Sequence, residues 1–128
     1  MFLRRYFFVS ILALAGFFAA VLPATTRAAE LIMVEQDGCV YCIAWKDKIG
    51  PIYPKTPEGQ FAPLRMIDIR DGAPDGLTFN RPVTFTPTFI LIENNEEVGR
   101  IEGYPGEDFF WWMLEKLLKD KTEFGGIS

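Results

Sequence analysis

Short apolar runs bounded by polar turn residues recur along the chain and predict four strands. Residues 31–34 form a brief, wholly apolar run, which is typical of a buried strand. Residues 64–69 alternate in part and predict a second strand, and residues 88–92 give the strongest strand signal in the chain. Four turn residues then precede residues 97–102, which are predicted to be the antiparallel partner of the third strand.

Three other segments carry helix signals. A helix is predicted to begin near Cys39, with three apolar side chains on one face, and to end at Gly50. A short helix over residues 58–61 is predicted to have Thr56 as its N-cap. Residues 107–119 predict the last helix, on which we expect Trp111 to stay exposed. Two acidic residues begin this helix, and its wide apolar face consists of Phe109, Phe110, Trp112, Met113, Leu114, Leu117 and Leu118.

The order of these elements predicts the fold class. The first two strands are joined through a helix, and they are expected to pair in parallel because parallel strands need a long crossover connection. The hairpin adds two antiparallel strands to the same sheet. Residues 71–82 are rich in Gly, Pro, Asp and Asn and predict a loop. We therefore expect one α/β domain with a central mixed four-stranded sheet and helices on both faces.

The first 28 residues differ in composition from the rest of the chain. Arg4 and Arg5 precede an apolar run over residues 6–22 and then small residues, an order typical of a secretory signal peptide. Cleavage near Ala28 would leave residues 29–128 as the mature domain, and the loss of three arginines would change the net charge from −4 to −7. An uncleaved anchor is the alternative, because the apolar run is at the lower end of the ~17–25 residues that span a bilayer.

The composition excludes several kinds of site. The chain has no histidine, which excludes Ser-His-Asp and Cys-His catalysis and a Cys-x-x-Cys-His haem attachment within one chain. A zinc site would need two further soft ligands, so a metal that bridges two chains is the less favoured alternative. The acidic charge with scattered lysines gives no footprint for nucleic acid or an anionic membrane surface. We expect neither a metal nor a nucleic-acid partner.

The two cysteines of the chain, Cys39 and Cys42, are separated by two residues at the predicted start of a helix. At such a position the free N–H groups and the dipole of the helix favour a thiolate on the first sulfur. The second sulfur is close enough to resolve a mixed disulfide. A structural staple is the alternative, but a loop this short restricts the unfolded chain little. The spacing favours a redox-active disulfide that needs no other cofactor.

Thr86 and Pro87 come directly before the strongest strand. A cis peptide bond before a proline is rare and is usually retained for a purpose. In the cis form, this segment would bring Thr86 alongside the two sulfurs. The alternative is a trans proline that only marks the start of the strand.

Together these features resemble the thioredoxin superfamily. The resemblance covers about residues 29–119 and rests on the cysteine pair at a helix start, the Thr-Pro sequence before a strand and the order of the elements. Among the members of this superfamily, the chain looks most similar to small periplasmic thioredoxin-like proteins found with bacterial sulfur-oxidation systems. Residues 35–42 and 81–89 carry that narrower resemblance.

The chain also departs from ordinary thioredoxins at three places. Gly38 stands where they have Trp before the first cysteine, and Val40 and Tyr41 stand in place of Gly-Pro between the pair. Ordinary thioredoxins have a buried aspartate six residues before the attacking cysteine, where this chain has Met33. Glu35 is the nearest acid on that strand. It is either an inward-facing base for the second cysteine or, as we favour, a solvated strand end.

The resemblance implies a role for each residue of the site. Cys39 is implied to be the partly exposed attacking cysteine, and Cys42 the buried resolving one. Pro87 is implied to be a cis-proline that faces the disulfide, and Thr86 to pair with substrate backbone as an added strand would. Gly103 is implied to flank the substrate groove, with a plain strand-ending glycine as the alternative.

The resemblance implies an extracytoplasmic thiol–disulfide oxidoreductase of the periplasm that acts on a client protein with a disulfide or thiol, such as a sulfur-carrier protein. Val40 and Tyr41 offer no charge to the thiolate and Asp37 opposes it, which favours a reductant over a strong oxidant. A reductant in an oxidising compartment needs a membrane thiol donor of electrons. We expect a monomer. A binding or regulatory module of the same fold without turnover is the alternative function.

Overall fold

The computed structural model describes residues 20–21 and 29–125. The predicted signal peptide, residues 1–28, therefore lies outside the described residues apart from two positions. Across the ranges that are described, none of the helices has the length and apolar character needed to cross a membrane.

The strands and α-helices follow one another in the predicted order. The strands are β1 (Glu30–Glu35), β2 (Leu64–Asp68), β3 (Thr88–Glu93) and β4 (Glu96–Glu102). The helices are α1 (Val40–Lys48), α2 (Pro57–Phe61) and α3 (Glu107–Lys121). Two short 3-10 helices, Tyr53–Lys55 and Ile69–Asp71, lie where the sequence predicts none. The predicted cap of α2 is confirmed, because the Thr56 hydroxyl accepts a 3.0 Å hydrogen bond from the Gly59 N–H.

The sheet is mixed and four-stranded, as predicted, with the strand order β2-β1-β3-β4. β1 pairs in parallel with β2 and antiparallel with β3, and β3 pairs antiparallel with β4. Both central strands are buried at four or more consecutive positions, because side chains on both of their faces are covered. The cysteine pair therefore follows a strand in the middle of the sheet.

The larger core lies between one face of the sheet and the helices. Its centre is Trp45 of α1, whose ring centroid is 5.1 Å from that of Phe89 on β3 and 5.5 Å from that of Phe110 on α3. All three side chains are fully buried. The Tyr53 hydroxyl donates a 2.7 Å hydrogen bond to the Ala62 carbonyl and joins the turn after α1 to the end of α2. These contacts fix α1 on the sheet.

The opposite face of the sheet differs from the prediction in what covers it. Helices were expected on both faces, but in residues 29–125 the buried side chains of α1 and α3 and the partly buried Phe61 of α2 all belong to the first core. The second core joins the β1 and β3 side chains Ile32, Val34, Ile90 and Ile92 to partly buried residues of β2 and of the segment after it. That segment, from Ile69 to Phe85, is irregular beyond one 3-10 turn because its glycines and prolines disfavour a helix.

The exposed aromatic residues of α3 also differ from the prediction. Trp111 is half-buried, since its ring stacks on that of Tyr53 with a centroid distance of 6.1 Å. The exposed aromatic side chains are instead those of Phe109 and Trp112, at 64% and 61%. Tyr53 comes from the turn after α1 and covers the side of α3 that the helical pattern leaves open.

Candidate active site

The two cysteines lie at the N-terminus of α1. Cys39 is the N-cap residue, and its Sγ accepts a 3.1 Å hydrogen bond from the Cys42 N–H. A disulfide joins the pair, whose Cα atoms are 5.2 Å apart. Cys39 is half-buried, whereas Cys42 is 1% exposed. The geometry therefore leaves the sulfur of Cys39 as the accessible one, at the helix end where a negative charge is stabilised.

Gly38 makes the turn from β1 into this helix. Its φ is +76°, a left-handed conformation that favours glycine, and the next residue, Cys39, donates its N–H to the Gln36 carbonyl at 3.3 Å. A tryptophan, as in ordinary thioredoxins, would be strained in this conformation. The backbone conformation at residue 38 thus explains why this chain has glycine there and not tryptophan.

A shallow groove beside the cysteine pair brings together the other predicted site residues. Thr86, Pro87 and Gly103 all line it, and so does Tyr41, which lies between the two cysteines. The peptide bond between Thr86 and Pro87 is cis. The Gly103 N–H donates a 2.8 Å hydrogen bond to the Pro87 carbonyl, which joins the two sides of the groove.

A second, smaller cleft of about 250 Å³ opens on the side of Cys42 and is lined by charged residues. Glu35 and Lys46 form an ion pair of 2.5 Å in this cleft, with side chains 25% and 38% exposed. Asp68 also lines it, and hydrogen bonds from Arg70 lower the pKa of the Asp68 carboxyl to about 2. Met33 is fully buried in the larger core. Glu35, Asp68 and the buried Cys42 thus line the same cleft.

A structure comparison matches this fold and site to the periplasmic thioredoxin SoxS from Paracoccus pantotrophus, whose crystal structure is of the reduced form. The two chains are 54% identical, with a TM-score of 0.70, and the match covers 71% of this chain and 96% of that one. The chain belongs to the thioredoxin superfamily. Comparisons with protein-family models and with curated proteins found no match.

This thioredoxin-superfamily protein is a thiol–disulfide oxidoreductase with a Cys-x-x-Cys pair, and the predicted fold class, family and type of activity are confirmed. Among residues 20–21 and 29–125, no three His, Cys, Asp or Glu side chains are grouped so as to hold a metal ion. The redox centre in the described residues is the Cys39–Cys42 disulfide.

Several groove residues of this thioredoxin-like protein were missed by the sequence reasoning. Tyr41 lines the groove and is 63% exposed, and Phe85 lines it directly before Thr86. Tyr104 and Met113 complete its apolar wall. An exposed aromatic residue between the cysteines was a usable signal for Tyr41, whereas only the fold brings Met113 of α3 to the groove.

The cleft leads to a prediction about proton transfer. Glu35 was expected to be a solvated strand end, but it is paired with Lys46 and lines the same cleft as Cys42. We therefore expect Glu35→Gln to slow the resolution of a mixed disulfide roughly tenfold, less than a directly bonded base would contribute. Attack by Cys39 should keep its rate. Single-turnover reduction of insulin, quenched with acid at successive times, separates the two steps.

The matched control for that prediction is Glu30→Gln. Glu30 is the first residue of the same strand and pairs with Arg65 at 3.6 Å, far along β1 from the cysteines. An equal slowing in both variants, or none in Glu35→Gln, would contradict a role for Glu35 in resolution.

Proposed function

We propose that the protein is an extracytoplasmic reductant of protein disulfides. The export signal is residues 1–28, removed near Ala28, and the mature domain of residues 29–128 works as a monomer in the periplasm. The basic, apolar and small-residue order of this leader supports export. The description of the similar SoxS protein as periplasmic supports the same compartment.

One observation carries the proposed chemistry: Cys39 is the accessible sulfur at the N-terminus of α1, beside a groove, with Cys42 buried behind it. The Cys39 thiolate attacks one sulfur of the client disulfide, forms a mixed disulfide and releases the first client thiolate. The Cys42 thiolate then attacks the Sγ of Cys39 and releases the second client thiolate. Two electrons pass to the client, and the Cys39–Cys42 disulfide remains.

The groove is the proposed binding place for the client backbone. Thr86 would hydrogen-bond an extended client segment as an added strand, with Pro87 facing the disulfide and Gly103 flanking the segment. The apolar wall made by Tyr41 and Met113 would receive client side chains next to the disulfide.

The proposed client is a sulfur-carrier protein whose cysteine must be kept reduced. The resemblance of residues 35–42 and 81–89 to periplasmic proteins of sulfur-oxidation systems supports this class of client. A membrane thiol protein would supply the electrons, because the periplasm is kept oxidising.

The charges near Cys39 support a reductant. Val40 and Tyr41 between the cysteines are uncharged, and the Lys46 ammonium in the adjacent cleft is paired with Glu35. The thiolate therefore depends mainly on the helix N-terminus. We expect a reduction potential close to that of thioredoxin, about −270 mV, measured by equilibrating the purified protein in dithiothreitol and glutathione redox buffers and trapping free thiols. A value near that of strong periplasmic oxidants, about −120 mV, would contradict the proposal.

A further inference from the structure

The segment that leads into the groove has almost no regular structure. Residues 72–85 contain neither a helix nor a strand apart from an isolated bridge between Thr78 and Glu96, yet they continue directly into Phe85, Thr86 and Pro87 of the groove wall. The backbone of this segment is held by hydrogen bonds to β4 and to the turn before it. Thr78 donates its N–H to the Asn95 carbonyl and accepts from the Glu97 N–H, both at 3.0 Å.

A bulge in β4 places two charged side chains where they meet this segment. Residues three apart on a regular strand point to opposite faces. The register of β4 against β3 shifts between Leu91 and Ile92, so that Leu91 faces Gly99 and Ile92 faces Glu97, which leaves Val98 without a partner. The extra residue brings Glu97 onto the same face as Arg100.

The guanidinium of Arg100 connects the strand to the segment. Its Nε and Nη2 donate to the two carboxylate oxygens of Glu97 at 2.5 and 2.7 Å. The same Nη2 donates to the Arg81 carbonyl at 2.9 Å, and Nη1 lies 3.5 Å from the Pro82 carbonyl. Glu97 in turn accepts the Asn80 N–H at 2.8 Å. Three consecutive residues of the segment are therefore bound to one pair of side chains.

This pair is buried, with side chains 5% and 2% exposed. Burial acts to raise the pKa of the Glu97 carboxyl, but the hydrogen bonds from Arg100 and from the Asn80 N–H outweigh it and hold that pKa below its ordinary value. A buried ion pair adds little net stability compared with apolar side chains of similar size, so its presence calls for a reason other than stability.

We propose that Arg100 and Glu97 are positioning residues that hold residues 80–82, and through them Thr86 and Pro87, in register for the backbone of a protein client. A second contact between the segment and β4 supports this proposal. Arg81 forms an ion pair with Glu102, and Glu102 itself lines the groove. The inference rests on the proposed function of the groove. Displacement of Thr86 by a fraction of an ångström would weaken pairing with an extended client without affecting the sulfurs.

Arg100→Lys tests this role. Lysine keeps the positive charge that pairs with Glu97. Its ammonium lacks the planar set of donors with which the guanidinium hydrogen-bonds the Glu97 carboxylate and the two backbone carbonyls at the same time. In steady-state assays with dithiothreitol to re-reduce the protein, we expect kcat/KM for insulin to fall on the order of tenfold, through KM more than kcat. The rate with dithiobis(nitrobenzoate), a small disulfide that needs only the Cys39 sulfur, should stay within about twofold of wild type. Faster amide hydrogen exchange is expected in residues 80–87 than in the wild type, with α1 unchanged.

Arg65→Lys is the matched control, because Arg65 lies on β2, at the opposite edge of the sheet from β4, and pairs with Glu30 of β1. A second variant, Glu97→Leu/Arg100→Met, removes both charges together and leaves neither buried and unpaired, so it keeps the test valid if Arg100→Lys does not fold. The same selective loss with insulin is expected.

Two results would overturn the inference: unchanged kcat/KM with insulin in a folded variant, or an equal loss with both substrates. Wild-type protein that fails to reduce insulin at all would instead refute the proposed function, so the two failures are distinguishable.

Discussion

Cys39→Ser is expected to lower the rate of protein-disulfide reduction on the order of 10³-fold or more, because it removes the nucleophile itself. Cys42→Ser is expected to stop turnover at a different point. Its Cys39 still attacks, but no second thiolate remains to resolve the product, so a mixed disulfide with the client accumulates. The difference follows from the placement of Cys39 as the half-buried N-cap and of Cys42 at 1% exposure.

Turbidity from insulin reduction measures the turnover, and mass spectrometry of the alkylated mixture measures the mixed disulfide. Val40→Ser is the matched control, since Val40 lies between the cysteines, is 72% exposed and carries no sulfur. Turnover by Cys39→Ser within about tenfold of the wild-type rate would contradict the assignment of the nucleophile. Wild-type protein that binds clients but does not turn over would favour the alternative, a binding or regulatory module.

Phe110→Ala is expected to reduce the free energy of unfolding by about 3–5 kcal/mol. The Phe110 ring is fully buried and lies 4.8 Å from that of Phe89 and 5.5 Å from that of Trp45, centroid to centroid. Its removal leaves a cavity where α3, α1 and the sheet meet, and the neighbouring rings cannot all collapse into it. Because Trp45 lies three residues after Cys42, the packing that holds the redox helix should loosen as well.

The adjacent residue supplies the control for this prediction. Phe109 is 64% exposed on the same helix turn, and Phe109→Ala should change the free energy of unfolding by less than about 0.5 kcal/mol. Urea unfolding of both variants with the disulfide intact, followed by tryptophan fluorescence, measures the two values. Similar losses in both variants would show that the helix packs differently from the structure.

Much of the fold could be predicted from the sequence because the signals are local. The apolar run of β1, the helix start at Cys39 and the Thr56 cap each depend on a few neighbouring residues, and all three are confirmed. The site could be predicted in part for the same reason. Two cysteines at this spacing before a helix, and Thr86-Pro87 before a strand, carried enough information to place the redox pair and one wall of the groove.

Features that depend on distant contacts could not be predicted. The burial of Trp111 depends on Tyr53, from the turn after α1, and the covering of the second sheet face depends on how the loop after β2 folds back. Met113 reaches the groove only because α3 packs beside it. Helical periodicity states which side chains share a face of a helix, but it does not state what lies opposite that face.

The sequence by itself determined the strands, the helices, the mixed sheet and the cysteine chemistry, because backbone propensity, capping and residue spacing act over a few positions. Only the tertiary structure decided how Glu97 and Arg100 meet, since the bulge in β4 reverses the alternation that the sequence suggests. It also decided that Glu35 pairs with Lys46 in a cleft beside Cys42. The first arrangement depends on a register shift between β3 and β4 and the second on a contact between β1 and α1, and no local pattern encodes either.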